Sequence, residues 1–164
     1  MDIIRIAEIE DLKSIVHIYN MAVHSKFETA DTTEVCLENR LDWFKGHSPD
    51  VFPIFVYEVD GTVVGWISLS PYRKGRHALR FTIEISYYVH NDFKGQQIGS
   101  KLIETAITES KKLNYKTLFA IILDKNEPSI QLLIKYGFTK WGHMPDIADF
   151  DGIECGHVYY GRRL

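Results

Sequence analysis

The order of periodic segments along this 164-residue chain predicts an α/β fold built on one mixed, mostly antiparallel sheet with helices on its faces. Three observations carry the prediction. Asp60-Gly61 joins two strand-like runs, FPIFVYEV and TVVGWISLS, as a two-residue hairpin, which forces antiparallel pairing. A strand, an amphipathic helix and a second strand follow one another from Phe81 to Leu123, which demands a parallel pair and a right-handed crossover. Leu118–Leu123 is apolar throughout, as a strand covered on both faces would be.

The elements read in order as follows. Ile3–Ile6 is a short strand. Glu10 to about Val23 is a helix, with Leu12, Ile15, Val16, Tyr19 and Val23 at helical spacing. Asp11 falls in its first turn, where the helix dipole favours a carboxylate. Thr32–Phe44 forms a second helix through Val35, Leu37, Leu41 and Phe44. The Asp60-Gly61 hairpin follows, and PYRKGRHALR is a basic loop. Phe81–His90 alternates strictly: Phe81, Ile83, Ile85, Tyr87 and Val89 on one face, Thr82, Glu84, Ser86, Tyr88 and His90 on the other. Ile98–Leu113 is an amphipathic helix. Ser129–Tyr136 is a short helix, opened near Asn126 and Pro128 and closed by Gly137. The tail from about Ile147 turns at Asp151-Gly152 and ends in one strand, CGHVYYGRRL.

One domain spanning 1–164 is expected, with enough chain to bury a core. The net charge of −3 argues against a general nucleic-acid binder. No signal peptide and no apolar run long enough for a bilayer is visible, so a cytoplasmic protein without a membrane partner is expected. Cys36 and Cys155 form no CxxC pair and read as reduced thiols. The seven histidines show no HxxxH spacing, and Cys155 with His157 supplies only two ligands on one strand face, so no metal site is expected.

The stretch DFKGQQIGSKL lies where the βαβ strand gives way to its helix. A helix N-terminus offers unpaired N–H groups and a partial positive charge, a site for an anion. Glycine lets backbone approach the ligand. Neither GxxxxGK[ST] nor GxGxxG is present. Lys94-Gly95-Gln96-Gln97-Ile98-Gly99 instead resembles the [QR]xxGx[GA] turn of the GNAT superfamily of N-acetyltransferases. It departs from that pattern at Lys94, in place of glutamine or arginine, and at Gln97, in place of glycine. Asn126-Glu127-Pro128-Ser129 followed by Gly137-Phe138 is similar to the next GNAT segment; a plain N-cap role for Asn126 is compatible with it. IYN at 18–20, FETADT at 27–32, DWFKGH at 42–47, TIEISYYV at 82–89, WGHMPDIADFDG at 141–152 and the final YYGRRL narrow the resemblance to the phosphinothricin/methionine sulfoximine N-acetyltransferase branch, over nearly the whole length.

The resemblance implies a GNAT-like sheet with its parallel pair at the acetyl-CoA site, and acetyl-CoA as co-substrate. It implies cofactor contacts from Tyr87, Tyr88, Val89, Lys94, Gly95, Gln96, Gln97, Ile98, Gly99, Ser100, Asn126 and Ser129. Lys74 and Arg76 align with the branch's substrate cations, and Phe27 and Tyr88 with its aromatic pocket wall. Glu84 matches the branch's base in T-x-E-x-S-x-Y. It is also the only carboxylate in a run of uncharged residues on the polar face of its strand, where a solvated glutamate is the plainer alternative. Many GNAT enzymes carry a tyrosine as general acid where this chain has Leu133, so no acid is assigned; Tyr136 is expected to pack. The expected acceptor is the amino group of a small amino acid or analogue, and the expected assembly is a homodimer. The alternatives are a GNAT enzyme for protein or peptide N-termini, which needs an open groove, and a coenzyme A-binding module without catalysis.

Overall fold

The computed structural model describes residues Met1–Leu164. Seven strands form one sheet in the order β1-β2-β3-β4-β5-β7-β6. They are β1 (Asp2–Ile6), β2 (Ile54–Val59), β3 (Thr62–Pro71), β4 (Thr82–Val89), β5 (Thr117–Leu123), β6 (Thr139–Phe150) and β7 (Ile153–Arg163). The helices are α1 (Leu12–Ser25), α2 (Leu37–Lys45), α3 (Ile98–Lys112) and α4 (Glu127–Lys135). Only β4 and β5 run parallel; every other pairing is antiparallel. The mixed α/β architecture expected from the sequence is thus present.

Both tight hairpins turn where the dipeptides place them. Asp60 and Gly61 have φ of 47° and 81°, and Asp151 and Gly152 have 54° and 88°, the doubled positive φ that a type I′ turn requires. The sheet separates two apolar layers. Ile67, Leu69, Ile83 and Ile85 meet Leu102, Ile103 and Ala106 of α3 and Ile130 and Leu133 of α4. On the opposite face Val56 and Trp66 pack against Ile15, Ile18 and Tyr19 of α1.

Two expectations need correction. The second helix begins at Leu37, not Thr32. The Asn20 side chain clamps the main chain of Val35 from both sides: Nδ2 donates to Val35 O at 3.0 Å and Oδ1 accepts from Val35 N at 3.0 Å. That pair of bonds competes with helix formation and holds the segment as a strap. The tail also holds two strands, not one. β6 is an edge strand exposed over most of its length, so it lacks the alternation that reveals a half-buried strand.

Candidate active site

β4 and β5 pair only through Thr82 with Thr117, Ile83 with Leu118 and Glu84 with Phe119. Past that point β4 remains bonded to β3, and β5 to β7, so the two strands part like a wedge. The facing edges of Ile85–Val89 and Ala120–Leu123 therefore have no partner in each other. Unpaired strand edges accept an added extended chain that carries its own amides. The wedge opens a cleft of about 680 Å³ that reaches both faces of the sheet. Ile85, Tyr87, Val89 and Ile98 line it on the α3 side, and Glu84, Ser86 and Tyr88 on the α1 side.

The N-terminus of α3 points into this cleft. Gly95 (φ 79°) and Gln97 (φ 63°) turn the chain so that the helix starts at Ile98. The first helical bond runs from Lys101 N to Gln97 O, and the amides of Ile98, Gly99 and Ser100 have no main-chain acceptor. No acidic side chain occupies the first turn. This is a ready seat for a polyphosphate anion. Gly99 serves a different purpose: a Cβ there would lie 3.0 Å from the Leu132 Cδ2 methyl on α4, so the glycine leaves room for close packing of α3 against α4. Asn126 caps α4, accepting from Ser129 N at 3.4 Å, and lines the cleft as well.

Glu84 is half-buried in the cleft wall and has no ion-pair partner, and loss of water alone raises its pKa above the usual carboxylate range. Tyr88 stands edge-on to Tyr19 at 5.0 Å and tilted over Trp66 at 4.9 Å; burial raises its pKa well above the phenol value. Burial likewise pushes Tyr87 up to about 12, and its hydroxyl reaches the Ser129 carbonyl at 3.5 Å. Neither phenol is a ready proton donor at neutral pH. The loop after α1 closes one side of the cleft through Glu28, Thr29 and Ala30. Thr29 Oγ1 lies 2.7 Å from the Tyr19 hydroxyl, and Lys94 Nζ bridges to Glu28 Oε1 at 2.6 Å.

Of the residues singled out in the sequence, Glu84, Tyr87, Tyr88, Val89, Lys94, Gly95, Gln97, Ile98, Gly99, Ser100, Asn126 and Ser129 line this one cleft. Four do not. Gln96 donates to the Asp92 carbonyl at 3.4 Å. Phe27 stacks edge-on to Phe150 at 5.1 Å, closing a small apolar cluster with Leu123 and Cys155. Lys74 and Arg76 stand exposed on the β3–β4 loop. On α4, Leu133 is fully buried in the core, and just past its end the Tyr136 hydroxyl donates to Glu104 Oε1 at 2.7 Å, so neither residue presents an acid to the cleft. The sequence reading missed Glu28, Thr29 and Ala30, whose only signal was the FETADT block, and His157, weighed there as a metal ligand.

A wedge with free strand edges, an anion seat at its mouth and an unpaired carboxylate at its base suits a donor with an amide-bearing arm and a phosphate tail. The molecule is of the class that moves acyl groups from coenzyme A thioesters. The model of the Acetyltransferase (GNAT) family matches residues 12–138, and the chain belongs to that family. It is an acetyl-CoA-dependent N-acetyltransferase. A Bacillus subtilis (strain 168) protein, provisionally named phosphinothricin acetyltransferase YwnH, is 38% identical over 98% of each chain. The L-methionine sulfoximine/L-methionine sulfone acetyltransferase of Salmonella typhimurium is 33% identical over 88% of this chain and 84% of its own. A crystal structure of a GNAT superfamily phosphinothricin acetyltransferase from Sinorhizobium meliloti in complex with AcCoA superposes with a TM-score of 0.93 at 26% identity, covering 99% of this chain and 88% of that one.

Proposed function

We propose that this enzyme acetylates the α-amino group of a small amino acid or analogue of the phosphinothricin, methionine sulfoximine or methionine sulfone type, with Glu84 as the base. The observation that carries the reading is Glu84 itself: half-buried and unpaired, beside the last β4–β5 pair where the cleft opens. An α-ammonium has a pKa of roughly 8 and must lose a proton before nitrogen can attack. A carboxylate with a raised pKa removes that proton more readily than an ordinary one. Free β4 amides at the wedge are suited to polarise the thioester carbonyl as charge develops on its oxygen. The turn Lys94–Ser100 and Asn126 would hold the pyrophosphate and the pantetheine arm. With no acid on α4, the thiolate leaves to be protonated by water.

Lys74 and Arg76, on the loop that leads into β4, are assigned to attracting the acceptor's anionic group from outside the cleft wall. Arg76→Ala is expected to raise the KM for the amino acid several-fold and spare the KM for acetyl-CoA; equal effects on both would remove Arg76 from the acceptor site. We assign the enzyme to the cytoplasm, supported by its two unpaired thiols, and to a homodimer joined through the β6–β7 hairpin, supported by its exposed apolar side chains.

The deciding experiment is thiol release from acetyl-CoA with phosphinothricin, methionine sulfoximine, methionine sulfone, spermidine, kanamycin and an Ala-starting peptide. Turnover is expected with the tetrahedral amino-acid analogues alone, falling about 10²-fold in Glu84→Gln with the acetyl-CoA KM unchanged. Turnover with the peptide alone would move the assignment to protein N-termini. Cofactor binding without any release would indicate a non-catalytic module.

A further inference from the structure

The only lysine or arginine that lines the cleft is already taken by a carboxylate of its own chain. Lys94 Nζ lies 2.6 Å from Glu28 Oε1, and neither side chain makes another ion pair. Lys94 opens the turn that leads to the bare N-terminus of α3. Glu28 belongs to the loop after α1, 66 residues earlier in the chain, and lines the cleft as well. Both side chains are partly exposed, so the pair is weak enough to be exchanged.

The loop that carries Glu28 is strained. Lys26 and Phe27, in succession, hold φ of 53° and 60°. Side chains other than glycine reach this left-handed region only at a cost, and such strain persists where surrounding contacts over-determine it. Here the Phe27 ring stands edge-on to Phe150 at 5.1 Å. Thr29 Oγ1 lies 2.7 Å from the Tyr19 hydroxyl, and that hydroxyl donates to Asp31 Oδ2 at 2.5 Å. Of the contacts named, only the Glu28 ion pair ties the loop to the turn before α3.

We propose that the Glu28–Lys94 pair is a latch, in which Glu28 stands in for the cofactor's phosphate and holds the strained loop shut until acetyl-CoA takes Lys94 from it. This rests on the assignment of the Lys94–Ser100 turn to the pyrophosphate. A pyrophosphate offers Lys94 more charge and more acceptor oxygens than one carboxylate does, and the first amides of α3 bind it at the same time. Lys94 therefore passes from Glu28 to phosphate. Glu28, left beside a like charge with no partner, moves off. The loop loses its tie to the turn, and the wall formed by Thr29 and Ala30 is freed as the donor seats. Such coupling is reciprocal: the closed latch weakens cofactor binding by the factor with which bound cofactor favours the open loop.

The test is a double-mutant cycle on coenzyme A binding, with Glu28→Gln, Lys94→Gln and both changes together, each shown to be folded by its thermal melt. Dissociation constants for coenzyme A are measured by calorimetry at one fixed salt concentration, because exposed charges are screened. Glu28→Gln is expected to bind coenzyme A roughly threefold more tightly than the wild type, since Lys94 is then free beforehand. With Lys94→Gln already in place, that gain is expected to fall away. The loop is read separately, in the free enzyme, as the rate of chymotryptic cutting after Phe27 followed by mass spectrometry, which tracks how often the loop opens. Either single change is expected to raise that rate roughly threefold, and the double change no further. Coenzyme A binding that is not tightened in Glu28→Gln, or is tightened equally in both backgrounds, would overturn the latch and leave the phosphate seat in place. So would cutting at the wild-type rate in both single variants. Binding that Lys94→Gln does not weaken in the Glu28→Gln background would remove Lys94 from the phosphates, and the latch with it.

Discussion

Glu84 is held where its charged form is poorly solvated, and that disadvantage is what makes it useful. Its folded pKa is raised by loss of water, with no favourable partner to offset the shift. For a carboxylate raised in this way, the stability contribution is intact below the unfolded pKa and is lost as pH rises through the folded one. At neutral pH the ionised side chain therefore destabilises the fold, while Gln at 84 would carry no charge to bury. Glu84→Gln is expected to melt higher than the wild type at pH 7–8, although it is nearly inactive. The gap should close as pH falls into the ordinary carboxylate range. Paired melts across pH check this, and a constant gap would show that desolvation is not the cause. The sequence exposed Glu84 as the lone carboxylate on the polar face of β4. It could not show that the β4–β5 pairing ends at Glu84, because strand register is set by the sheet as a whole.

At the scale of elements, the turn into α3 illustrates a local rule broken at a working site. Gln97 adopts φ 63°, a left-handed conformation that costs an ordinary side chain about 1–2 kcal/mol and glycine almost nothing. The GNAT pattern has glycine at this position, so the unusual glutamine and the unusual dihedral describe one constraint. Gln97→Gly is expected to stabilise the fold by about 0.5–1 kcal/mol after its added chain entropy is counted, a rise in melting temperature of roughly 2–4 °C per kcal/mol. A variant that melts lower would indicate that the glutamine side chain makes a compensating contact. Elements with strong periodicity, α1, α3, β4 and β5, were legible in the chain. The start of α2 and the whole of β6 were not. A side chain 15 residues away holds Val35 out of the helix, and an exposed edge strand has no buried face to leave a pattern.

At the scale of the molecule, the β6–β7 hairpin is the part left uncovered. Trp141 and Ile147 are each 49% exposed, and Met144 and Ile153 46%. Apolar groups gathered on one element mark a contact surface more often than chance exposure does. Trp141→Ser is expected to shift the proposed dimer toward monomer in sedimentation velocity; an unchanged profile would place the contact elsewhere. Gly161 lies beneath the Trp141 ring, where even a Cβ would be 2.1 Å from it, so the ring's position depends on that glycine. Taken alone, the sequence determined the Asp60-Gly61 hairpin, the turn at Asp151-Gly152, the βαβ crossover, the glycine turn and the candidate base, because each is written in residues close together in the chain. Only the tertiary structure decided how far β4 and β5 pair before they part, and therefore where the cleft opens. It also decided that Lys74 and Arg76 stand off the cleft wall while Thr29 and His157 line it. Those outcomes depend on packing from both faces of the sheet at once, which no local pattern encodes.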